Sequence, residues 1–341
     1  MKALLFLLFI PVISFSKPKL PLDQSVKIAT VSSVERKNLA NEKIFTSLFM
    51  KGYSPPPYVK SGTGSGVVVS STGDIITNYH VINGATDIKV ISNSGIHYSA
   101  KIISADGSID LALIRAPEMG GVMPVVIGDS NSLSVGDGVF VIASPFGMRN
   151  SYSKGYLSAK NRQMGVTENE DSLQIDASVN PGASGGGVYS KNGELVGIAS
   201  GIITSSKGFQ GISIVIPSYI IDAFIKSTLA YGTSLHTNYG IHLKEWLSAS
   251  TCGVKIVNIE EGSYASSLGF LKGDIILSIN SYKICKSSEA SMRTLLFSST
   301  TPLSFFIKRG SKRLELKSNP TTAVLWSKPW SPKDEGSNTL Q

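Results

Sequence analysis

A chain of 341 residues, 42% apolar and only 16% charged, is too long for one ordinary core and too apolar to be disordered. Two or three globular domains follow, and 33 glycines point to a turn-rich, all-β organisation. The net charge of +8 is carried by scattered lysines, without a long basic block or a nucleic-acid motif, which sets nucleic acid aside as a partner.

The first sixteen residues, Met1 to Ser16, place one lysine before an apolar run from Ala3 to Ile13 and end in the small residues Ser14 and Ser16. That is the pattern of a Sec-type signal peptide cut before Lys17. The run is shorter than the ~20 residues of a comfortable transmembrane helix, so an uncleaved anchor is the lesser alternative. Residues 17–61 form an N-terminal segment and loop, in which Tyr53-Ser-Pro-Pro-Pro-Tyr58 excludes helix. From Gly62 to about Ile216, short β-branched runs alternate with Gly, Asn and Ser: Val67 to Val69, Ile75-Ile76, Ile88 to Ile91, Leu111 to Ile114, Val139 to Ile142, Leu195 to Ile198. Runs so short and so often interrupted predict strands of a sandwich or barrel. Asn192-Gly193 predicts a hairpin turn, and Ser218 to Leu229 a helix that brings this unit to residue 232. A second unit, residues 238–317, carries predicted strands near Val254 to Ile259, Asp274 to Ile279 and Leu303 to Ile307. Its predicted helix, Ser287 to Phe297, sets Met292, Leu295 and Leu296 on one face. Cys252 and Cys285 both fall here. Export permits a disulfide between them, two buried thiols satisfy the spacing equally well, and the choice stays open. Residues 318–341 read as a flexible tail.

The chemistry centres on Gly182-Ala183-Ser184-Gly185-Gly186. A serine between glycines can sit on a sharp turn, with the N–H groups of Gly182 and Ser184 aimed at one point where a carbonyl oxygen gains charge. The same residues satisfy the nucleophile elbow of α/β-hydrolases, and also a plain glycine-rich loop. A hydrolase needs a helix after the serine and the order Ser, Asp, His, which Asp222 and His236 would have to supply. The residues after Ser184 instead read strand, turn, strand. A serine hydroxyl needs a base, and histidine, with an unperturbed pKa of about 6.5, suits neutral pH. Of the four histidines, His80 ends an apolar strand; His97 lies in a polar hairpin-like stretch and reads as solvated; His236 and His242 fall at the border of the second unit. Asp110 leads the apolar run Leu111 to Ile114, where a buried acid requires a partner unless it is a simple turn aspartate. The order His80, Asp110, Ser184 is that of chymotrypsin-type proteases.

On these residues the chain resembles the HtrA (Deg) serine proteases of bacterial envelopes. Four blocks carry the resemblance: Gly64-Ser-Gly66 leading to Thr77-Asn-Tyr-His80-Val81; Asp110-Leu-Ala-Leu113; Ser144-Pro-Phe-Gly147; and Asp176 through Asn180-Pro-Gly-Ala-Ser-Gly-Gly186. Ile216-Pro217-Ser218, Tyr239-Gly240-Ile241 and Gly269 through Gly273-Asp274-Ile275-Ile276 extend it, so that it covers about Ile44 to Lys317. The resemblance implies an all-β, chymotrypsin-like double β-barrel protease domain at 62–232, followed by a smaller α+β PDZ domain at 238–317. It implies a His80, Asp110, Ser184 triad, an oxyanion hole at Gly182 and Ser184, and regulatory loops near Arg162 to Asp171 and Gly201 to Gly211. It also implies a PDZ carboxylate loop at Tyr239, Gly240 and Ile241; Met292, Leu295 and Leu296 are read as the pocket beside it. Further implications are a periplasmic homotrimer without cofactor or metal, acting on unfolded or misfolded proteins and on peptides with free apolar C-termini. Three features depart from the family pattern: Ala183 in place of the usual Asn, a single PDZ domain, and a short loop before Gly62. A regulatory, stress-sensing protease activated by PDZ-bound peptides fits the same pattern. A non-catalytic chaperone or scaffold is the third reading, against which the intact triad stands.

Overall fold

The computed structural model describes residues 28–32, residues 63–319 apart from 86, 166, 168, 204–208 and 298–299, and residues 325–326. The signal segment, and with it that expectation, lies outside the described residues; of the tail read as flexible, residues 318–319 and 325–326 are described, Ser318 ending one strand and Leu325–Trp326 forming another. Two closed six-stranded barrels form the N-terminal part. The first contains β1 (Ile28–Ser32), β2 (Gly66–Val68), β3 (Asp74–Thr77), β4 (Ile88–Ile91), β5 (His97–Asp106) and β6 (Leu111–Arg115), in the order β1-β2-β3-β6-β5-β4. The second contains β7 (Gly138–Ala143), β8 (Ser151–Arg162), β9 (Ser172–Ile175), β10 (Gly187–Ser190), β11 (Leu195–Ile202) and β12 (Ser213–Pro217), in the order β10-β11-β12-β9-β8-β7. Strand β1 corrects the sequence reading, which opened the barrel unit at residue 62. Ile28 and Ala29 pair with β2, and Thr30 to Ser32 pair with β4, so this distant strand closes the first barrel.

The apolar runs are continuous rather than alternating because both faces of these strands are covered. Side chains point to opposite faces in turn. Val68, Ile75, Ala112 and Ile114 fill the first barrel, and their neighbours Val67, Ile76, Leu111 and Leu113 face the seam between the barrels. Val139, Val141, Val188 and Val196 fill the second barrel, while Phe140, Ile142, Tyr189 and Leu195 enter the same seam. Two helices serve this part: α1 (Tyr79–Ile82), one turn long, and α2 (Ser218–Tyr231), which lays Tyr219, Ile220, Ile221 and Phe224 over the seam. The predicted turn at Asn192-Gly193 and the predicted helix from Ser218 are both present.

The C-terminal part is a six-stranded antiparallel sheet with two helices. It contains β13 (His236–Thr237), β14 (Ile241–Leu247), β15 (Cys252–Ile259), α3 (Tyr264–Ser267), β16 (Ile275–Ile279), β17 (Tyr282–Lys283), α4 (Ser287–Phe297), β18 (Leu303–Arg309), β19 (Lys312–Ser318) and β20 (Leu325–Trp326). The sheet runs β14-β15-β16-β18-β19, with β17 beside β16, and β13 pairs separately with β20. Its own core centres on Val254, Ile256, Phe270, Ile276, Phe305 and Ile307. Cys252 and Cys285 form a disulfide, with Cα atoms 5.1 Å apart, that ties the start of β15 to the residues just before α4.

Helix α4 also joins the two parts. Met292 and Leu296, 2% and 0% exposed, belong to the seam cluster with Tyr219 and Phe224, and Leu295 packs against it. This corrects the reading of Met292, Leu295 and Leu296 as walls of an open peptide pocket. The stripe is interdomain core, and burying each such side chain contributes about 1.5–3 kcal/mol. Polar contacts frame it. Tyr219 and Ser288 donate to the two carboxylate oxygens of Asp171 at 2.5 and 3.0 Å. Arg293 pairs with Glu289 at 3.1 Å, reaches Asn131 at 2.5 Å, and lies between the rings of Tyr219 and Tyr282, 4.6 and 4.5 Å from their centroids. Burial raises the Asp171 carboxyl above its ordinary pKa, and the hydrogen bonds from Tyr219, Asn161 and Ser288 and the Arg293 charge offset only part of that. Glu289 is raised for the same reason.

Candidate active site

Helix α1 and the start of β6 build the acid–base pair. Asp110 has φ of 55°, in the left-handed region that side-chain-bearing residues rarely enter, and it is buried. Contacts on every side hold it there. Its carbonyl accepts from Tyr79 N–H at 3.2 Å and from the Asn78 side-chain amide at 2.9 Å. Its carboxylate accepts from His80 backbone N–H at 3.0 Å, and both carboxylate oxygens lie 2.9 Å from His80 Nδ1. A carboxylate on Nδ1 assigns that nitrogen the proton and leaves Nε2 as the acceptor. The His80 side chain stays half-exposed at 47%, whereas that of Asp110 is 7% exposed.

Ser184 sits on the turn ahead of β10. Its Oγ donates to the Ser200 carbonyl at 3.1 Å, and Ser200 Oγ donates to Asp110 Oδ2 at 2.7 Å. Ser200 therefore touches both ends of the set. The sequence reading missed it; the available signal was a hydroxyl inside β11, a strand otherwise buried and apolar. In this structure the Ser184 hydroxyl rests on Ser200 rather than on His80, a looseness common in unliganded sites, where the last link tightens on substrate binding.

Gly182 has φ of 92°, and a Cβ there would lie 2.9 Å from Ser144 O and 3.0 Å from Phe146 N, so only glycine fits. Phe146 N–H donates to the Pro181 carbonyl at 2.8 Å. In a planar trans peptide the N–H points opposite to the C=O, so the Gly182 N–H is turned the other way. Among the described residues, neither Gly182 N–H nor Ser184 N–H donates to a protein acceptor. Two backbone donors beside the hydroxyl are thus left for a developing oxyanion. The Ala183 side chain is buried in the second barrel and takes no part.

The other expected residues lie in the C-terminal part. Tyr239 is buried against Tyr264 and Phe305, with its hydroxyl 3.0 Å from Ser318 Oγ. Gly240 has φ of 67° and donates its N–H to Asn238 Oδ1 at 2.8 Å. Ile241 opens β14, which among the described residues pairs with β15 alone. Of the loops expected to regulate the site, residues 162–171 touch it indirectly: Asn169 N–H donates to Ser108 O at 3.0 Å, on the turn that leads to Asp110. Among the described residues no group of His, Cys, Asp and Glu is arranged to hold a metal ion, and no helix is long and apolar enough to cross a membrane.

Residues 64–198 match the family described as trypsin-like peptidase domain. The chain is 30% identical over 309 residues to the periplasmic pH-dependent serine endoprotease DegQ of Escherichia coli (strain K12), covering 87% of this chain and 67% of that one. It is 31% identical over 288 residues to a probable periplasmic serine endoprotease DegP-like of Chlamydia trachomatis, covering 82% of this chain and 56% of the relative. Against that relative and a Haemophilus influenzae protein named probable periplasmic serine protease do/HhoA-like, the chain spans little more than half their length, 56% and 57%. Its fold is similar to that of the HtrA-type protease AlgW solved with a tripeptide, with a TM-score of 0.62 at 24% identity over 87% of this chain and 93% of that one.

Proposed function

We propose that this chain, which belongs to the HtrA/Deg family of trypsin-like serine proteases, is an exported serine endopeptidase that cleaves unfolded or misfolded envelope proteins in the periplasm. The observation that carries the proposal is the hydrogen-bonded set that links Ser184 through Ser200 to the Asp110–His80 pair, beside two backbone N–H groups that among the described residues donate to no protein acceptor. In the proposed reaction, Ser184 Oγ bonds to the scissile carbonyl carbon while its proton passes to His80 Nε2. Asp110 stabilises the resulting imidazolium, and the N–H groups of Gly182 and Ser184 hold the oxyanion. Collapse of the tetrahedral species breaks the C–N bond, and His80 returns the proton to the leaving amine. Water, activated by the same imidazole, then hydrolyses the acyl-enzyme. No step draws on a cofactor.

Residues 238–317 are proposed to be a PDZ domain. The free edge of β14 offers main-chain groups to an added peptide strand, with Tyr239, Gly240 and Ile241 receiving its terminal carboxylate. Since Asn238 Oδ1 occupies the Gly240 N–H, a carboxylate there takes the place of a side-chain acceptor already in the loop. The regulatory reading, in which a bound C-terminus tunes cleavage, is favoured by one contact: α4, the helix beside β14, holds Asp171 at the end of the 162–171 loop through Ser288. Assembly as a homotrimer completes the proposal and is checked by light scattering.

The deciding experiment is labelling by a fluorophosphonate together with casein cleavage. Wild type is expected to take one label at Ser184 and to cleave casein. Ser184→Ala is expected to take none and to lose roughly 10⁵–10⁶-fold in kcat, with an unchanged melting temperature. Residual cleavage by Ser184→Ala within a few-fold of wild type would sink the assignment.

A further inference from the structure

Gly64-Ser65-Gly66 precedes β2 in the first barrel, far in sequence from the nucleophile, yet Ser65 is fully buried beside it. Its backbone N–H donates to the Ser184 carbonyl at 2.7 Å, and its carbonyl accepts from Thr77 Oγ1 at 2.7 Å. Its hydroxyl donates to the Gly182 carbonyl at 2.9 Å and accepts from Ser144 N–H at 2.9 Å. A hydroxyl has one hydrogen to donate and lone pairs to accept with, and here it uses both roles between two loops of the other barrel.

The consequence falls on Gly182. The peptide before it is pinned by Phe146 N–H on the Pro181 carbonyl, and the peptide after it by Ser65 Oγ on its own carbonyl and by Ala183 N–H on Asn180 O at 2.9 Å. Phe146 belongs to the Ser144-Pro-Phe-Gly147 turn, which Ser65 also holds by accepting from Ser144 N–H. One hydroxyl thus fixes the carbonyl of Gly182 directly and, through Ser144, the loop that fixes the preceding carbonyl. Glycine can rotate either peptide at little steric cost, so without these ties nothing local keeps its N–H aimed at the oxyanion position.

We infer that Ser65 is a positioning residue for the oxyanion donors: its hydroxyl, reaching from the first barrel, holds the Gly182 N–H in the orientation that acyl transfer requires. The inference rests on the proposed protease reading and extends it to a residue that touches neither substrate nor the reacting atoms.

The test compares wild type, Ser65→Ala and Ser65→Cys on a fluorogenic peptide. The readouts are kcat, KM, the affinity of a peptide boronic acid whose tetrahedral adduct occupies the oxyanion position, and thermal melting. Loss of a donor that acts in the transition state lowers kcat and spares substrate binding. Ser65→Ala is expected to lose roughly 10- to 100-fold in kcat and a parallel factor in boronate affinity, with KM within about three-fold. Ser65→Cys keeps a weak donor of similar shape and is expected to fall between the two. A Ser65→Ala kcat within about two-fold of wild type overturns the inference, as does a loss carried by KM with boronate affinity intact. Should Ser65→Ala fail to melt cooperatively, Ser65→Cys is judged alone, and wild-type kcat and boronate affinity in it overturn the inference. A wild-type chain that takes no phosphonate label and cleaves nothing overturns the protease reading and this inference with it. A labelled, active wild type beside an equally active Ser65→Ala overturns this inference alone.

Discussion

Among the described residues there are two Asp–His pairs, each with serines around it, and only one is linked to Ser184. In the first, His80 Nδ1 meets both oxygens of Asp110 at 2.9 Å, its side chain stays half-exposed, and Ser200 links Asp110 to Ser184. In the second, His236 Nε2 meets Asp106 Oδ2 at 2.6 Å, Ser234 Oγ donates to that same oxygen at 2.6 Å, and Ser108 Oγ caps the other at 2.7 Å. The His236 side chain is 11% exposed, and its serines donate to the carboxylate instead of standing across the ring from it. The same three residue types therefore make a fastener in one place and a candidate catalytic set in the other. What separates them is that the His80 ring is half-exposed and its aspartate is linked through Ser200 to Ser184, whereas the His236 ring is buried among its partners. The fastener has a mechanical position: it ties the chain leaving α2 to the turn between β5 and β6, four residues before Asp110.

The sharpest way to break this comparison is to neutralise each aspartate. Asp110→Asn is expected to lower kcat by about 10⁴ with little change in stability, because the imidazole loses its tautomer and orientation. Asp106→Asn is expected to keep kcat within a few-fold while costing about 3 kcal/mol of stability, as removal of one member of a buried pair does. Kinetics and denaturant midpoints on both variants check this; equal losses of kcat would erase the distinction.

A smaller effect is expected at Ser200, which gives its hydroxyl to Asp110 and its carbonyl to Ser184. Ser200→Ala is expected to reduce kcat about ten-fold, the value of one hydrogen bond to a charged group. The backbone carbonyl remains, so phosphonate labelling should persist at a reduced rate. Loss of labelling altogether would mean that Ser200 does more than orient Asp110.

The smallest expected effect contrasts Asp106 with Asp171, two buried carboxylates with opposite shifts. At Asp106 burial opposes ionisation, but His236, Ser234 and Ser108 outweigh it and hold the carboxyl below 3.8. Its stabilising contribution is complete above 3.8 and is lost as pH falls through the folded value. At Asp171 burial wins and the carboxyl lies above 3.8. Its ionisation therefore costs stability: the loss sets in as pH rises above 3.8, is complete once pH has passed the raised folded value, and is absent below 3.8. Asp171→Asn keeps one oxygen acceptor, puts an NH2 donor in place of the other, from which the Tyr219 or Ser288 hydroxyl accepts after rotating, and removes the buried charge. It is expected to raise stability by about 1 kcal/mol near pH 7, a few degrees in melting temperature, and to change nothing near pH 3. Thermal melts of both aspartate variants at the two pH values check the opposite signs; a destabilised Asp171→Asn near pH 7 would show that its charge is fully compensated by Arg293.

Much of the site was legible because its signals are local. A glycine–serine–glycine turn, a histidine closing an apolar strand and an aspartate opening another declare themselves within a few residues, and their chain order names the arrangement. Strands β2, β3, β4, β6, β7, β10 and β11 were legible for the same reason, as was α4 from Ser287 to Phe297, whereas β1, β5, β8, β9 and β12 were not. The face of α4 was not. Period 3.6 says that Met292, Leu295 and Leu296 share a side, and it is silent on whether a peptide or α2 covers that side. Ser200 and Ser65 were invisible as site residues because each hydroxyl acts on a partner from another segment, 90 residues away for Ser200 and 117 for Ser65.

From the sequence alone came many of the strand and helix segments and the three side chains proposed to carry acyl transfer, since backbone preference and side-chain periodicity are properties of neighbouring residues. The tertiary structure alone decided that Ile28–Ser32 closes the first barrel, that Cys252 and Cys285 are joined, that the α4 stripe is interdomain core, and which of two Asp–His pairs keeps its ring exposed. Those outcomes depend on what lies opposite a face once the chain has closed loops of tens of residues, and that information is carried by the packing of the whole molecule, not by any window along it.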